Sequence, residues 1–172
     1  HPFGRFESKS VIDFGREAVV GALRDAGMAY KDIQAAYCAC MYASATTGPR
    51  VLYNLGMTGI PIADVEAACA SGGVALRQAY MAVASGMYDC VLAFGLEKMP
   101  KGFMDPSQIF ERWQIDMGLT QNPMYWAMLA RRHMEEYGTT AIQLARVSVK
   151  NHKNAVENPN AMFRKALTIG EV

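Results

Sequence analysis

The first periodic pattern along the chain is helical. Apolar residues recur at spacings of three and four between residues 11 and 27, which predicts an amphipathic helix. Ser10 can cap the start of this helix, and Gly27 can end it. A turn over residues 46–49 then opens a short helix that we expect over 49–55.

Three apolar runs, at residues 33–41, 62–66 and 89–96, predict strands. The last run is almost continuously apolar, as in a strand that is covered on both faces. An Ala-rich helix predicted over 67–85 separates the second strand from the third. This alternation of helices and strands predicts an α/β domain with a largely parallel sheet.

The character of the sequence changes after residue 97, so we divide the chain into an α/β domain over 1–97 and an excursion over 98–172. Two helices are predicted in the excursion, near 123–137 and 140–156, and no strand pattern is evident there before about residue 165. Its start is rich in Met and aromatic residues: Met99, Phe103, Met104, Phe110, Trp113, Met117, Met124, Tyr125, Trp126 and Met128.

Composition narrows the class of protein. The 172 residues carry 17 Lys and Arg against 16 Asp and Glu, a net charge of +1, and 51% are hydrophobic. This apolar content excludes a disordered chain, and the balanced charge argues against a nucleic-acid binder. No apolar run reaches the roughly 18 residues of a membrane span, and the start of the chain has no signal-peptide pattern. With so few charges, we expect some apolar surface to meet a partner subunit.

The four cysteines fit neither a zinc pattern nor a small disulfide scaffold. Cys38 and Cys40 form a C-x-C pair on a predicted strand, where their side chains would point the same way, but no second pair follows. We expect free thiols, no metal site and a reducing compartment. Cys38, Cys40 and Cys90 lie in apolar runs and are expected to be buried.

Cys69 differs from the other three because it falls at the junction between a predicted strand and a predicted helix. The positive end of a helix favours the thiolate, which is the nucleophilic form of cysteine. Small neighbours, including Gly72 and Gly73, leave room for a substrate, and N–H groups of the first helical turn can hold an oxyanion. The plainer alternative is a buried cysteine at the start of an Ala-rich helix, and these residues alone leave the two interpretations about even.

A set of motifs in order along the chain resembles the thiolase superfamily. Cys69-Ala70-Ser71-Gly72 follows a short strand, opens an Ala-rich helix and precedes a strand that ends in Glu97-Lys98-Met99. The closer resemblance is to the sterol-carrier-protein-type thiolases and thiolase-like lipid-transfer proteins, from about Phe14 to Val172. The four-residue motif alone is weakly specific, and the ordered set is strong. Further agreeing segments are Leu55–Ile62, Lys101-Gly102, His133–Glu135, Tyr137–Thr139, Lys150–Lys153 and Asn158-Pro159.

The resemblance implies a layered αβαβα fold of two similar halves, of which this chain matches the N-terminal half without its first strand. It implies cleavage or formation of a carbon–carbon bond next to a coenzyme A thioester, such as a 3-oxoacyl-CoA of lipid or sterol side-chain metabolism. Cys69 matches the cysteine that takes up the acyl group. Coenzyme A is then a substrate, and no bound cofactor is expected. Residues 98–172 match the family's loop domain and its connection toward the C-terminal half.

The resemblance also implies an assembly and a compartment. The segment around residues 58–68 matches a strand that the family places at a two-fold dimer contact, so we expect a homodimer or a contact with a homologous subunit. The family and the free thiols together indicate the cytoplasm of a bacterium or a peroxisome, and not a secreted protein.

The chain departs from the family pattern in two respects. The Gly-His-Pro histidine, the second reactive cysteine and the residue that completes the oxyanion site belong to the family's C-terminal half, and no histidine here lies in such a motif. We therefore expect a fragment, an incompletely described chain or one subunit of a split enzyme.

Glu66-Ala67-Ala68 stands where many relatives have Asn, and a carboxylate facing the thiol would oppose its ionisation. We expect Glu66 to point into a subunit contact or to pair with Arg77 or Lys98.

Four further residues are candidates for substrate binding. Met99 and Met104 follow the last predicted strand and can line an acyl pocket, although core packing is the better interpretation of Met99. Trp126 can wall a substrate tunnel or cover the α/β body. His152 lies in a basic stretch that can meet the phosphates of coenzyme A, or at a solvated helix end.

Three functions remain open at this point. The first is a thiolase that uses Cys69 on a 3-oxoacyl-CoA. The second is a thiolase-like retro-aldolase of steroid side-chain breakdown, which works with a small partner subunit that has an OB-fold and binds coenzyme A, and in which the cysteine need not act. The third is a non-catalytic lipid-transfer or scaffold protein, which the open surroundings of Cys69 disfavour.

Overall fold

The computed structural model describes residues 1–102 and 104–172; Phe103, one of the aromatic residues of the excursion, lies outside the described residues. The chain divides into two compact units. The first contains His1 and Arg5–Met99, and the second contains Pro2–Gly4 and Pro100–Val172. That the second unit is a loop domain stays a prediction.

A three-stranded parallel sheet forms the centre of the first unit. Its strands are β1 (Ala35–Ala39), β2 (Ile62–Val65) and β3 (Val91–Gly95), in the order β2-β1-β3. Both neighbours run parallel to β1, which confirms the predicted α/β architecture. The carboxyl ends of the three strands therefore lie at one edge of the sheet.

Three helices pack with this sheet: α1 (Val11–Asp25), α2 (Thr47–Tyr53) and α3 (Ser71–Ala84). The predicted cap of α1 is confirmed, since Ser10 Oγ accepts the Asp13 N–H at 3.2 Å. Helix α1 contacts α2 and β3, whereas α3 lies along all three strands.

The core lies between α1, α2 and one face of the sheet. Val19, Cys38, Val51 and Leu52 are fully buried there. Helices α1 and α2 approach closely at Gly15, because a Cβ there would lie 2.7 Å from Val51 Cγ2. Ala-rich α3 brings its own small buried residues, such as Ala75 and Ala79, onto the sheet. The sheet therefore has helices on both faces, as parallel strands require.

The second unit is helical. It contains α4 (Arg112–Asp116), α5 (Asn122–Tyr137) and α6 (Ala141–Val156), and no strand occurs in its described residues. The predicted capping box of α6 is confirmed, since Thr140 Oγ1 accepts the Gln143 N–H at 3.3 Å. The short helix α4 lacks a clear apolar period and was missing from the sequence prediction. Across the described parts of both units, no helix has the length and apolar character needed to cross a membrane.

Candidate active site

Cys69 lies at the carboxyl end of β2, where the chain turns toward α3. Two residues separate the strand from a 3₁₀ turn over Ala68–Ala70, and α3 begins at Ser71. The prediction that the helix begins at residue 67 was therefore wrong by four residues, because Ala68 has φ +49° and cannot belong to a right-handed helix. Cys69 is exposed in this turn, as its proposed chemistry needs.

A small set of hydrogen bonds holds the turn. Ser71 Oγ accepts the N–H of Ala67 at 2.8 Å and donates to the carbonyl oxygen of Ala68 at 2.7 Å. On the other side, Glu66 Oε1 accepts the N–H of Ala68 at 2.5 Å. The backbone of the residue before Cys69 is thus bound through both its N–H and its carbonyl.

The placement of Glu66 corrects the expectation of an ion pair. Its carboxylate turns back onto its own loop at Ala68, and in the described part of the chain no ion pair joins it to Arg77 or Lys98. Lys98 Nζ instead donates to the carbonyls of Glu7 and Lys9, at 3.2 and 2.7 Å. Because the Ala68 N–H is only two residues from Glu66, this hydrogen bond orders less of the chain than a distant ion pair would. Whether Glu66 also meets a second subunit stays a prediction.

The space around the turn is open in this chain. A Cβ added at Gly72 or Gly73 would meet no atom within 4 Å. The residue that precedes α3, Ala70, has no side chain that caps the helix. The Ser71 N–H donates to the Ala68 carbonyl, and the later N–H groups of the first turn contribute the partial positive charge of a helix start, which can stabilise a negative oxygen.

The other three cysteines are less accessible. Cys38 is buried, and Cys40 and Cys90 are half-buried, so the expectation of full burial holds only for Cys38. Burial raises the pKa of the Cys38 thiol strongly, and the negative charge of Asp64 raises it further. The same two causes raise the pKa of Cys40. Both thiols stay protonated and weakly nucleophilic near neutral pH. Since Cys90 is half-buried as well, Cys69 is the one exposed thiol of the four.

Cys38, Cys40 and Asp64 come together across the β1–β2 pair. Their donor atoms all lie within 4.8 Å of one another, and in residues 1–102 and 104–172 no other group of three such side chains does so. The C-x-C pair does point the same way, and the register places Asp64 beside Cys38. Zinc binds thiolates, which burial and Asp64 disfavour here, and Asp64 Oδ1 already accepts the Gly48 N–H at 2.7 Å. This group therefore fits a hydrogen-bonded cluster better than a metal centre.

The four substrate-binding candidates are spread over the two units. Met99 ends the first unit and is 57% exposed, so the expectation that it packs in the core was wrong. In the second unit, Met104 is half-buried, and Trp126 is 59% exposed on α5. His152 Nδ1 lies 2.9 Å from the Lys165 carbonyl. Because a carbonyl only accepts, Nδ1 carries a hydrogen, and in the neutral ring Nε2 is then an acceptor.

Two residues of the turn, Ala68 and Ser71, received no individual role from the sequence. An alanine gives no sign that its backbone is left-handed, because that conformation is typical of Gly and Asn. Ser71 is visible as the third residue of Cys-Ala-Ser-Gly, but a serine near a helix start normally predicts a cap and not a bond into the preceding loop.

The chain matches a known family. The family model for the N-terminal domain of thiolase matches residues 1–169, and the chain therefore belongs to the thiolase family.

Relatives with known names agree with this assignment. The chain is 44% identical to an acetyl-CoA acetyltransferase of Methanothermobacter thermautotrophicus over 99% of its own length and 46% of that protein. It is 36% identical to sterol carrier protein 2 of Bos taurus, over 96% of this chain and 33% of that protein. A solved structure described as an Ltp2-ChsH2(DUF35) aldolase superposes with a TM-score of 0.75 at 28% identity, over 95% of this chain and 44% of that chain. The chain spans between a third and a half of the relatives that it matches.

Proposed function

We propose that Cys69 is the acyl-accepting nucleophile of a thiolase that acts on 3-oxoacyl-CoA substrates. The observation that carries the proposal is the exposed Cys69 between β2 and the uncapped start of α3. Membership of the thiolase family supports it, and so does the likeness to an acetyl-CoA acetyltransferase. Lipid or sterol side chains are the acyl groups we propose, and the name of the sterol carrier protein relatives supports this choice.

The proposed reaction has two halves. In the first, the Cys69 thiolate attacks the 3-keto carbon, the bond between C2 and C3 breaks, and its electron pair stays on C2. A proton from an acid converts C2 into the methyl group of acetyl-CoA, and the acyl chain remains on Cys69 as a thioester. In the second, the thiol of another coenzyme A loses its proton to a base and displaces Cys69, which releases the shortened acyl-CoA.

The chain supplies only part of this machinery. The first turn of α3 offers N–H dipoles to a developing oxyanion, through residues such as Gly72 and Gly73. The resemblance to thiolases assigns the acid, the base and the rest of the oxyanion site to a C-terminal half. Coenzyme A enters as a substrate, and no resident cofactor takes part in these steps.

The substrate-binding candidates remain proposals. Met99 and Met104 are proposed to contact the acyl chain, since the flexible Met side chain adapts to different apolar shapes. Trp126 offers an exposed indole face. When the His152 ring is protonated, its Nε2–H together with neighbouring lysines can donate to coenzyme A phosphates.

The test is the acyl-enzyme itself. The full-length protein is mixed with a 3-oxoacyl-CoA, quenched in acid and digested, and the mass of the peptide that contains Cys69 is measured by mass spectrometry. We expect a thioester adduct on this peptide in the wild type and none in Cys69→Ala, with turnover reduced at least about a thousandfold. Cys90→Ala removes a half-buried cysteine in the same way and serves as the matched control, with the adduct retained.

Thiol reactivity gives an independent measurement. Iodoacetamide at neutral pH should modify Cys69 first, and bound acyl-CoA should slow that modification. Cys40 and Cys90 should react more slowly, and Cys38 slowest, since it is buried. Fast modification of Cys38 or Cys90 would contradict the placement of Cys69 as the accessible thiol.

A retro-aldolase is the second candidate, and the structural likeness to the Ltp2-ChsH2(DUF35) aldolase favours it. In that reaction the cysteine need not act. The name of the solved structure indicates a second component, and the partner we propose is the small OB-fold subunit that binds coenzyme A. Substrate cleavage by Cys69→Ala at the wild-type rate would select this function over the thiolase. A protein with neither activity, but with bound lipid, would instead be a lipid-transfer protein.

A further inference from the structure

Ser71 occupies the first position of α3, but its hydroxyl does not cap the helix. The residue that precedes the helix is Ala70, and no side chain caps the helix there. Ser71 Oγ instead reaches back over the turn, where it accepts from the Ala67 N–H and donates to the Ala68 carbonyl, at 2.8 and 2.7 Å. The side chain is only 5% exposed, so water competes little for these two bonds.

The two bonds flank Ala68, whose backbone conformation is unfavourable for an L residue unless neighbouring groups stabilise it. Ala68 has φ +49°, a left-handed conformation in which the Cβ of an L residue crowds the following carbonyl oxygen. Its N–H is held by Glu66 Oε1 at 2.5 Å, and its carbonyl is held by Ser71. The direction in which the chain leaves Ala68 determines where the next residue, Cys69, carries its sulfur.

We propose that Ser71 is a positioning residue for Cys69: its buried hydroxyl holds Ala68 in the left-handed conformation and so fixes the thiol relative to the acyl substrate. This inference rests on the proposed function of Cys69. Ser71 acts through the backbone of Ala67 and Ala68. Glu66 supports the same residue from the solvent side, where its carboxylate accepts a single N–H.

The first experiment separates the position of the thiol from its accessibility. Acylation by a 3-oxoacyl-CoA requires the sulfur to meet the keto carbon at a defined place, whereas iodoacetamide reaches any exposed thiolate. In the full-length Ser71→Ala variant we expect acylation of Cys69 to fall at least about tenfold. Alkylation should change by less than about threefold, because the turn stays exposed.

Ser85 provides a matched control at the other end of α3. Its hydroxyl donates to the carbonyl of Ala82, three residues earlier, at 3.2 Å, as that of Ser71 does to Ala68. Ser85→Ala therefore removes the same type of bond without touching the turn, and we expect wild-type acylation. Equal acylation in Ser71→Ala, Ser85→Ala and the wild type overturns the inference.

A conformational rescue distinguishes positioning from simple packing. Gly adopts the left-handed conformation without a Cβ clash. The double variant that combines Ser71→Ala with Ala68→Gly should therefore acylate faster than Ser71→Ala alone. Ser71→Thr keeps the hydroxyl and should retain more acylation than Ser71→Ala. If Ala68→Gly restores nothing, Ser71 acts by filling space, and the inference is wrong.

A variant of Glu66 keeps the test decisive. If Ser71→Ala does not fold, Glu66→Ala removes the other bond to Ala68 from an exposed side chain, and it should lower acylation with Ala68→Gly again restoring it. Acylation that is unchanged in Glu66→Ala then overturns the inference.

If Cys69→Ala is inactive and Ser71→Ala behaves as the wild type, only the inference fails. If Cys69→Ala keeps its turnover, the proposed function fails and takes the inference with it.

Discussion

Glu97 holds the backbone of Met41, the second residue after β1, through a hydrogen bond of 2.7 Å from the Met41 N–H to Glu97 Oε2. The same oxygen accepts the Tyr42 N–H at 2.9 Å. Because Glu97 follows β3, its carboxylate joins the carboxyl ends of two neighbouring parallel strands. The turn that carries Cys69 follows the carboxyl end of the third strand, β2, at the same edge of the sheet.

Replacement of Glu97 by Ala should destabilise this edge. The variant leaves two backbone N–H groups without their charged acceptor, which we expect to lower the free energy of unfolding of the full-length protein by about 2 kcal/mol. Chemical denaturation measures the loss. Glu17→Ala is the control, since the Glu17 pair with Lys9 lies on the surface with 42% of the Glu17 side chain exposed, and should cost less than about 1 kcal/mol. A loss no larger than that of Glu17→Ala would show that Glu97 does not join the strands.

Gly48 is the position in α2 where the helix lies closest to the sheet. A Cβ there would overlap Asp64 Oδ1 and would lie 2.7 Å from Cys38 Cβ. Gly48→Ala should therefore lower the free energy of unfolding by about 1–3 kcal/mol, because the buried Cys38 leaves little room for α2 to move. Gly21→Ala, in α1 with no atom within 4 Å of the new Cβ, should instead stabilise the protein by up to about 1 kcal/mol. Thermal or denaturant unfolding of both variants checks the opposite signs.

Cys38 should make the protein sensitive to alkaline pH. Burial, and then Asp64, raise the pKa of Cys38 above its ordinary value of 9.0, so the unfolded chain loses this proton at a lower pH than the folded chain does. The stabilisation from the protonated thiol is thus fully present below about pH 9 and is lost as the pH rises above it, by at most about 1.4 kcal/mol per pH unit. Denaturant titrations from pH 7 to pH 10.5 should show a shallower decline in Cys38→Ser. Equal slopes in the two proteins would exclude Cys38 as the cause.

Strand β2 should form part of a subunit contact. It lies at the edge of the three-stranded sheet. The carbonyl of Pro61, just before β2, accepts the Ala36 N–H, and the carbonyl of Val65 accepts the N–H of Cys40, just after β1. The backbone N–H and C=O groups of Ile62 and Asp64 therefore point away from β1. An edge strand uses such groups to pair with a strand of another chain. Sedimentation of the full-length protein at micromolar concentration should show a dimer or a larger assembly.

Hydrogen exchange locates that contact. The Ile62 and Asp64 amides should exchange slowly at high protein concentration and faster after dilution below the dissociation constant. Amides of α1 should show no such dependence and serve as the internal reference. A monomer, or fast exchange of both β2 amides within a stable dimer, contradicts the assignment of this edge.

The helices and strands were predictable because their signals are local. The apolar period in α1, the cap at Ser10 and the capping box at Thr140 involve residues within one or two turns of each other. The alternation of strands and helices favours parallel pairing, because a helical crossover returns the chain to the same end of the sheet. The placement of Cys69 at a strand end followed from the same local signals, and the likeness to thiolases followed from motifs in order along the chain.

The geometry of the site was decided by contacts that the residue types alone do not reveal. Ala68 adopts a left-handed backbone because Glu66 and Ser71 bind its two polar groups, although the residue type disfavours it. Asp64 stands beside Cys38 only through the register of β1 with β2, which also determines how strongly the thiol resists ionisation. The sequence by itself therefore determined most of the helices and strands and singled out Cys69 as the accessible cysteine. Only the tertiary structure decided how that cysteine is held and what surrounds Cys38, because a left-handed alanine has no signal in its residue type and strand register depends on which segments the fold brings together.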